Sequence, residues 1–310
     1  MASSLLPAVV GATHRNGVAG VEAATGSLPD HPMARAAVEM AAWDLQAKLA
    51  GVPLWQAIGG SLRPVPTGIA LGLEPDGARL NEQVAAALAE GYRRIKLKVE
   101  PGAGVERVRA VRERFPDAPL SVDANGAFGA GDDASGRASY RAQLRALDEL
   151  GLLMIEQPLA ADDLLAHARL QAELVTPICL DESIGSHAQA RQALELGSGR
   201  VINVKPGRVG GIGEARRIHD LCAARGVPVW CGGMLESGVG RAHNVALATL
   251  PGFTLPGDLS PSRRYWARDL VEPEWTMTDG LVTPPAGPGI GVEVDRERIE
   301  ASATRRLAVG

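Results

Sequence analysis

A chain of 310 residues is long enough to bury a barrel-sized core and still carry a small appendage. Its composition, 45% hydrophobic and 22% charged, is that of an ordinary globular protein. A net charge of −4 offers no basic surface to nucleic acid or to an anionic membrane, so neither is an expected partner. No run reaches the roughly 18 apolar residues of a spanning helix. Residues 1–10 lack a basic start and are broken by Pro7, so they are not read as a signal peptide. Cys179, Cys222 and Cys231 are scattered and odd in number. They read as buried small apolar residues of a protein in the reducing cytoplasm.

In chain order, residues 1–30 are rich in Gly, Ala and Ser and weakly patterned. A helix is expected from Met33 to Leu49, because Val38, Ala41, Ala42, Leu45 and Leu49 recur at helical spacing and Gly51 with Pro53 ends the run. Leu54 to Ile58 read as a short helix closed by Gly59-Gly60. From Val65 strands alternate with helices. The strands fall near 65–71, 94–99, 119–123, 152–156, 177–181, 200–204, 227–231 and 252–256. The helices fall near 78–90, 103–114, 138–149, 162–173, 186–196, 211–225 and 239–249. Continuously apolar strands joined by amphipathic helices indicate a parallel sheet buried on both faces, and eight of them favour a closed α/β barrel. The Pro- and Gly-rich tail from about Tyr265 is expected to leave the barrel and pack elsewhere.

Five successive strands end in charged groups. Lys96 and Lys98 end the second, Asp123 and Asn125 the third, Glu156 the fourth, Asp181 and Glu182 the fifth, and Lys205 the sixth. From Lys98 the steps to Asp123, Glu156, Asp181 and Lys205 are 25, 33, 25 and 24 residues. A βα unit averages roughly 30 residues, since eight fill about 250, and the C-terminal strand ends are where such barrels build active sites. Three carboxylates at one rim repel unless a cation lies among them, and oxygen ligands suit Mg²⁺. The lack of His or Cys at these three strand ends argues against zinc. Lys96 and Lys98 alternate with Leu97, so they share a face. Two adjacent ammonium groups depress each other's pKa, which would let one serve as a base near neutrality.

Lys205 would stand across the barrel mouth from Lys98, although the Pro206–Gly211 loop also allows a phosphate-binding lysine. Asn125, Gln157 and Glu182 adjoin the acidic positions and read as groups that orient them. Gly233, Met234 and Glu236 lie in a Gly-rich loop after the seventh strand. Its N–H groups would hold a substrate carboxylate, or the loop is simply a tight turn. No histidine is given a catalytic role.

The segments Lys96-Leu97-Lys98, Val122-Asp123-Ala124-Asn125, Ile155-Glu156-Gln157-Pro158, Leu180-Asp181-Glu182-Ser183 and Asn203-Val204-Lys205 together resemble the enolase superfamily, in its muconate-lactonizing-enzyme-like subgroup. The runs from Ile178 to Ile184, Lys205 to Gly211, Pro228 to Met234 and Leu255 to Asp258 are similar to the o-succinylbenzoate synthase / N-succinylamino acid racemase family. The resemblance covers about residues 31–295. It implies a TIM-like (β/α)7β barrel over 63–262, a partial, N-terminally truncated α+β capping domain over 1–62, and a C-terminal segment over 263–310 that returns to the cap.

The same resemblance implies Mg²⁺, with Mn²⁺ a possible substitute, on Asp123, Glu156 and Asp181. Lys98 would be the base that takes the proton α to the carboxylate of a small-molecule substrate. Lys205 would stabilise the enediolate or act as the opposite base, and Lys96 would tune Lys98 and help hold the carboxylate. The developing dianion needs a preorganised cation. The expected activity is o-succinylbenzoate synthesis by dehydration in menaquinone biosynthesis, with N-acylamino acid racemisation as the alternative on the same residues. A dipeptide epimerase fits less well, since Asp258 supplies one acid where that group has two. A homo-oligomer is expected. A cap without its opening strands would lack the lid that sets specificity and would expose apolar surface on its helices. That leaves a non-catalytic, metal- or partner-binding remnant as a further alternative.

Overall fold

A computed structural model describes residues 9, 13–26, 31–129, 137–304 and 306. Its centre is a seven-stranded parallel sheet in sequential order. The strands are β2 (Gly68–Leu71), β3 (Arg94–Lys98), β4 (Leu120–Asp123), β5 (Ile155–Glu156), β6 (Ile178–Leu180), β7 (Val201–Val204) and β8 (Val229–Cys231). The antiparallel pairs β1 (Val65–Pro66) with β10 (Leu281–Val282), and β9 (Val271–Glu272) with β11 (Glu293–Val294), flank it. The barrel strands are almost wholly buried because helices cover one face and neighbouring strands' side chains fill the other. Leu71, Ile95, Leu97, Leu120, Val122, Ile155, Ile178 and Ile202 lie in one continuous core.

The expected eighth strand, 252–256, does not form. The stretch instead makes single bridges, Phe253 with Val229 and Gly257 with Thr67. Pro251 and Pro256 have no N–H for a ladder, which accounts for the interruption. The ring still closes. The Gly68 N–H donates to the Gly257 carbonyl (2.7 Å), the Gly257 N–H to Pro66 (3.0 Å), and the Asp258 N–H to Cys231 (2.9 Å). A Cβ on Gly257 would come within 2.8 Å of the Cys231 carbonyl oxygen, so the close approach requires glycine. Arg63 reinforces this seam by donating to the carbonyls of Ala248 (2.8 Å), Thr249 (3.3 Å), Leu250 (3.1 Å) and Phe253 (3.1 Å). Hydrogen bonds from a charged donor contribute about 1.5–3 kcal/mol each, and those sharing one nitrogen contribute less. Arg63→Ala is therefore expected to lower the melting temperature by on the order of 5–10 °C, measured by thermal denaturation.

The N-terminal region is more ordered than its composition suggests. A helix spans Thr13–Gly26, broken at Gly17 with φ 55°. Val18 and Val21 pack with Val9 against Ala42 of the helix Pro32–Ala50. That second helix lies where the spacing placed it, but its buried face is Ala36, Glu39, Ala42 and Ala47. Leu45 and Leu49, expected inside, are 52% and 80% exposed, and Met33 is 55% exposed. Its carboxyl end meets the chain's last quarter. The Leu54 N–H donates to Gly289 (2.7 Å), the Trp55 indole to Pro285 (2.8 Å), and the Ile290 N–H to the Asp44 carboxylate (2.7 Å). No helix among the described residues is long and apolar enough to cross a membrane.

Candidate active site

Strand β3 builds one wall of the site. Arg94, Lys96 and Lys98 alternate along it, so all three side chains enter the barrel, at rising levels toward its mouth. Lys96 pairs in register with Ser121, and Lys98 with Asp123 of β4; Asp123 in turn pairs with Glu156 of β5. Register alone therefore gathers Lys98, Asp123 and Glu156 at one rim.

Each expected carboxylate is held by a cation. Lys98 Nζ lies 2.6 Å from Asp123 Oδ2. Lys96 Nζ lies 2.8 Å from Glu156 Oε2 and 3.5 Å from Asp123 Oδ2. Lys205 Nζ lies 2.8 Å from Asp181 Oδ2, and Arg208 also bonds that carboxylate. The lysines differ in access: the Lys98 side chain is 28% exposed, Lys205 11% and Lys96 4%. Lys98 is thus the one that faces the mouth.

Glu156 is fully buried, and its carboxyl is pushed up to about 7. Burial is the main cause; Lys96 opposes it, while Asp123, Asp181 and Asp258 add to it. Asp181 goes the other way, since Lys205 and Arg208 outweigh its burial. The expectation that Lys96 and Lys98 depress each other's pKa does not hold for Lys96. Burial works to lower it, but Asp258 and Glu156 hold it above the usual lysine value.

The surrounding groups divide into two sets. Asn125, whose φ of 43° turns it back over the rim, accepts from Lys98 and donates to Glu182 Oε1 (2.8 Å). Gln157 points away from the mouth. Its carbonyl oxygen accepts from the N–H groups of Asp181 (2.9 Å) and Ser183 (3.2 Å), fixing the loop that presents Asp181. In the Gly-rich loop after β8 one amide is already engaged. The Met234 N–H is spent on Glu236 (2.8 Å), and Glu236 also accepts from Asn244 (2.9 Å), so this amide is not free for a substrate carboxylate. Gly233 packs where a Cβ would stand 2.9 Å from the Asp258 carbonyl.

Four further site residues, Arg94, Asn203, Arg208 and Trp230, are given no role by the sequence reading, and Asp258 enters it only as a lone acid after the expected eighth strand. Asn203 donates to Glu156 Oε1 (2.9 Å). Asp258 bonds Arg94 (2.6 Å) and Lys96 (2.9 Å). Period-two spacing was a usable signal for Arg94 beside Lys96 and for Asn203 beside Lys205.

The donors suit a hard divalent cation. Carboxylate oxygens dominate the rim, and the nearby thiol of Cys179 is held well above its ordinary pKa by burial. Like charge crowds Glu156, and Glu182 Oε2 is buried without a hydrogen-bond partner. Among the described residues no three His, Cys, Asp or Glu side chains are already gathered as a metal cage, because the lysines occupy the carboxylates.

Comparison with known proteins identifies the family. Residues 79–298 match the family model "Enolase C-terminal domain-like", and residues 2–59 match "Mandelate racemase / muconate lactonizing enzyme, N-terminal domain". The chain is 57% identical over 268 residues to an o-succinylbenzoate synthase of Geobacillus stearothermophilus, covering 86% of this chain and 69% of that protein. It is 54% identical over 270 residues to an N-succinylamino acid racemase of Thermus thermophilus, covering 87% and 71%. A solved enolase-superfamily member from Enterococcus faecalis V583 superposes with a TM-score of 0.88 at 42% identity, covering 97% of this chain and 79% of that one. The register-built rim of lysines and carboxylates and these matches lead to one conclusion: the chain belongs to the enolase superfamily, in its mandelate racemase / muconate lactonizing enzyme group.

Proposed function

We propose that this chain is an o-succinylbenzoate synthase, which removes a proton α to a carboxylate and then expels water, a step of menaquinone synthesis. The observation that carries the reading is the placement of two lysines on separate carboxylates around buried Glu156: Lys98 on Asp123 at 2.6 Å and Lys205 on Asp181 at 2.8 Å. Similarity to the Geobacillus synthase supports it. Asp123, Glu156 and Asp181 are the residues that would hold Mg²⁺, or Mn²⁺ in its place. When bound, that cation supplies positive charge to a carboxylate acquiring a second negative charge.

The chain's own groups do the rest. Lys98 Nζ accepts the α-proton, and the C–H electron pair moves into the substrate carboxylate to give the enediolate. The Lys205 ammonium offers its charge to that enediolate. As the electrons return, the β C–O bond breaks, and Lys98 returns its proton to the departing hydroxide, which leaves as water. Asn125 and Glu182 hold Lys98 at the rim between these transfers.

A second reading, N-succinylamino acid racemase, is favoured by the similarity to the Thermus protein and by the position of Lys205, which can return a proton from its own side. We also read residues 1–62 as the cap's helical part, 63–262 as the barrel and 263–310 as the segment returning to the cap; the Trp55–Pro285 contact supports this. A cytoplasmic homo-oligomer belongs to the same reading.

The test is α-carbon deuterium exchange from solvent into N-succinyl amino acids with Mg²⁺, followed by NMR, with turnover of the cyclohexadiene-carboxylate substrate in parallel. Exchange with dehydration supports the synthase, and exchange alone supports the racemase. A folded, metal-binding protein that catalyses neither would overturn both.

A further inference from the structure

Below the rim, two cations share one aromatic ring. The Arg94 guanidinium lies 3.9 Å from the Trp230 ring centroid, and Lys96 Nζ lies 4.9 Å from it. Both side chains are buried, Arg94 completely. The ring attracts each cation, but two positive groups so close repel unless an anion divides them. Asp258 is that anion. One oxygen takes Arg94 (2.6 Å) and the other takes Lys96 (2.9 Å). The Arg94 Nε and Nη1 atoms are buried without a hydrogen-bond partner, so Asp258 is the anion on which Arg94 is spent. The Trp230 indole is itself fixed, donating to Cys179 Sγ at 3.3 Å. The Asp258 backbone is fixed at the barrel seam through its N–H to Cys231.

Of the three carboxylates around Lys96, Glu156 and Asp123 belong to the set assigned to the cation. Asp258 alone stands outside that set. We infer that Asp258, clamped by Arg94 and the barrel seam, is the positioning residue that anchors Lys96 over Trp230 as a fixed cation for the substrate carboxylate, independently of the metal-binding carboxylates. The substrate half of this rests on the function proposed above; the anchoring half does not. Lys96 then contributes binding charge from a constant position, while Lys98, one register step nearer the mouth, is left to move its proton.

Reductive methylation read by mass spectrometry tests the anchor. In the parent chain Lys96 resists labelling with and without saturating Mg²⁺, while Lys48, 46% exposed, reacts and serves as reference. Asp258→Asn keeps the shape and removes the charge. Its Lys96 labelling rate should rise by about tenfold or more, with the Lys48 rate unchanged. KM for the carboxylate substrate should rise by about tenfold, with kcat within a few-fold, the signature of binding lost equally from ground and transition states. Asp258→Glu retains the charge and should restore most of the Lys96 protection while shifting KM less. If Asp258→Asn does not fold, Asp258→Ser, smaller and also uncharged, carries the test: its Lys96 labelling should rise in the same way. Unchanged labelling in every folded variant overturns the anchor. If the parent chain shows no turnover at all, the proposed function fails, and the labelling still decides the anchor.

Discussion

Lys98→Ala is expected to remove α-proton exchange almost entirely while leaving a folded, metal-binding protein. A positioned general base contributes about 10²–10⁴-fold, and loss of the only mouth-facing amine on this wall should approach the upper figure. The fold should tolerate the change because the Lys98 side chain is 28% exposed, and Asp123 keeps Lys96 at 3.5 Å as a second cation. The pair joins a partly exposed lysine to a buried carboxylate that keeps a second cation, so its loss should cost less than that of a pair buried on both sides. The same truncation at Lys96 would strip Glu156 and Asp258 of their shared partner inside the barrel, and loss of one member of a buried pair costs about 3–5 kcal/mol. Rate and melting temperature measured on both variants should therefore separate them: Lys98→Ala inactive with a near-parental melt, Lys96→Ala with a clearly lowered one. Exchange within tenfold of the parent in Lys98→Ala would remove it as the base.

The second large effect is thermal stabilisation by Mg²⁺ that grows with pH. Burial and the charges of Asp123, Asp181 and Asp258 hold the Glu156 carboxyl at about 7, against 4.5 for an ordinary glutamate. Between those values the native state holds a proton that the unfolded chain has lost. Stability of the metal-free protein therefore falls as pH rises from 4.5 through 7, by up to about 3 kcal/mol for this one group. Asp258, held down at about 2, and Asp181, also depressed, act oppositely, but their contributions are lost only as pH falls below about 4. A cation binds the ionised form, so it competes with the proton on Glu156. At a hundredfold excess over its Kd, it should add about 2.7 kcal/mol, on the order of 5 °C in a chain of this size. The increment should be larger at pH 8 than at pH 5, measured by calorimetry at matched ionic strength. An equal increment at both pH values would mean that Glu156 takes no part in holding the cation.

Much of this site was visible in the chain because a parallel barrel converts spacing into geometry. Once strands recur at a regular interval, Lys98, Asp123, Glu156, Asp181 and Lys205 must meet at one rim. Within a strand, alternation alone puts Lys96 and Lys98 on one face. What stayed hidden depends on long-range approach. Asp258 follows the expected strand 252–256, which prolines reduce to single bridges, and nothing in the spacing shows that it reaches Arg94 and Lys96 across the seam. Arg208 was read as part of a loop, and only the turn at Pro206 brings it onto Asp181. The helix Thr13–Gly26 was missed because small residues give a weak periodic signal; its Val18 and Val21 gain meaning only against Ala42. Leu45 and Leu49 show the reverse error, in which helical spacing was sound but the buried face was assigned by hydrophobicity alone.

The seam also dictates an order of assembly. Arg63 meets the Phe253 carbonyl across 190 residues, and Gly68 meets Gly257, so these contacts form only after nearly all of the barrel exists. A chain still emerging from the ribosome therefore carries two unpaired parallel edges, Gly68–Leu71 and Val229–Cys231, until the segment ending at Asp258 is released. Open edges template pairing with other chains. The same late event that protects the sheet from association also delivers Asp258 to Lys96, so a barrel that has not closed is one whose active site is not yet assembled.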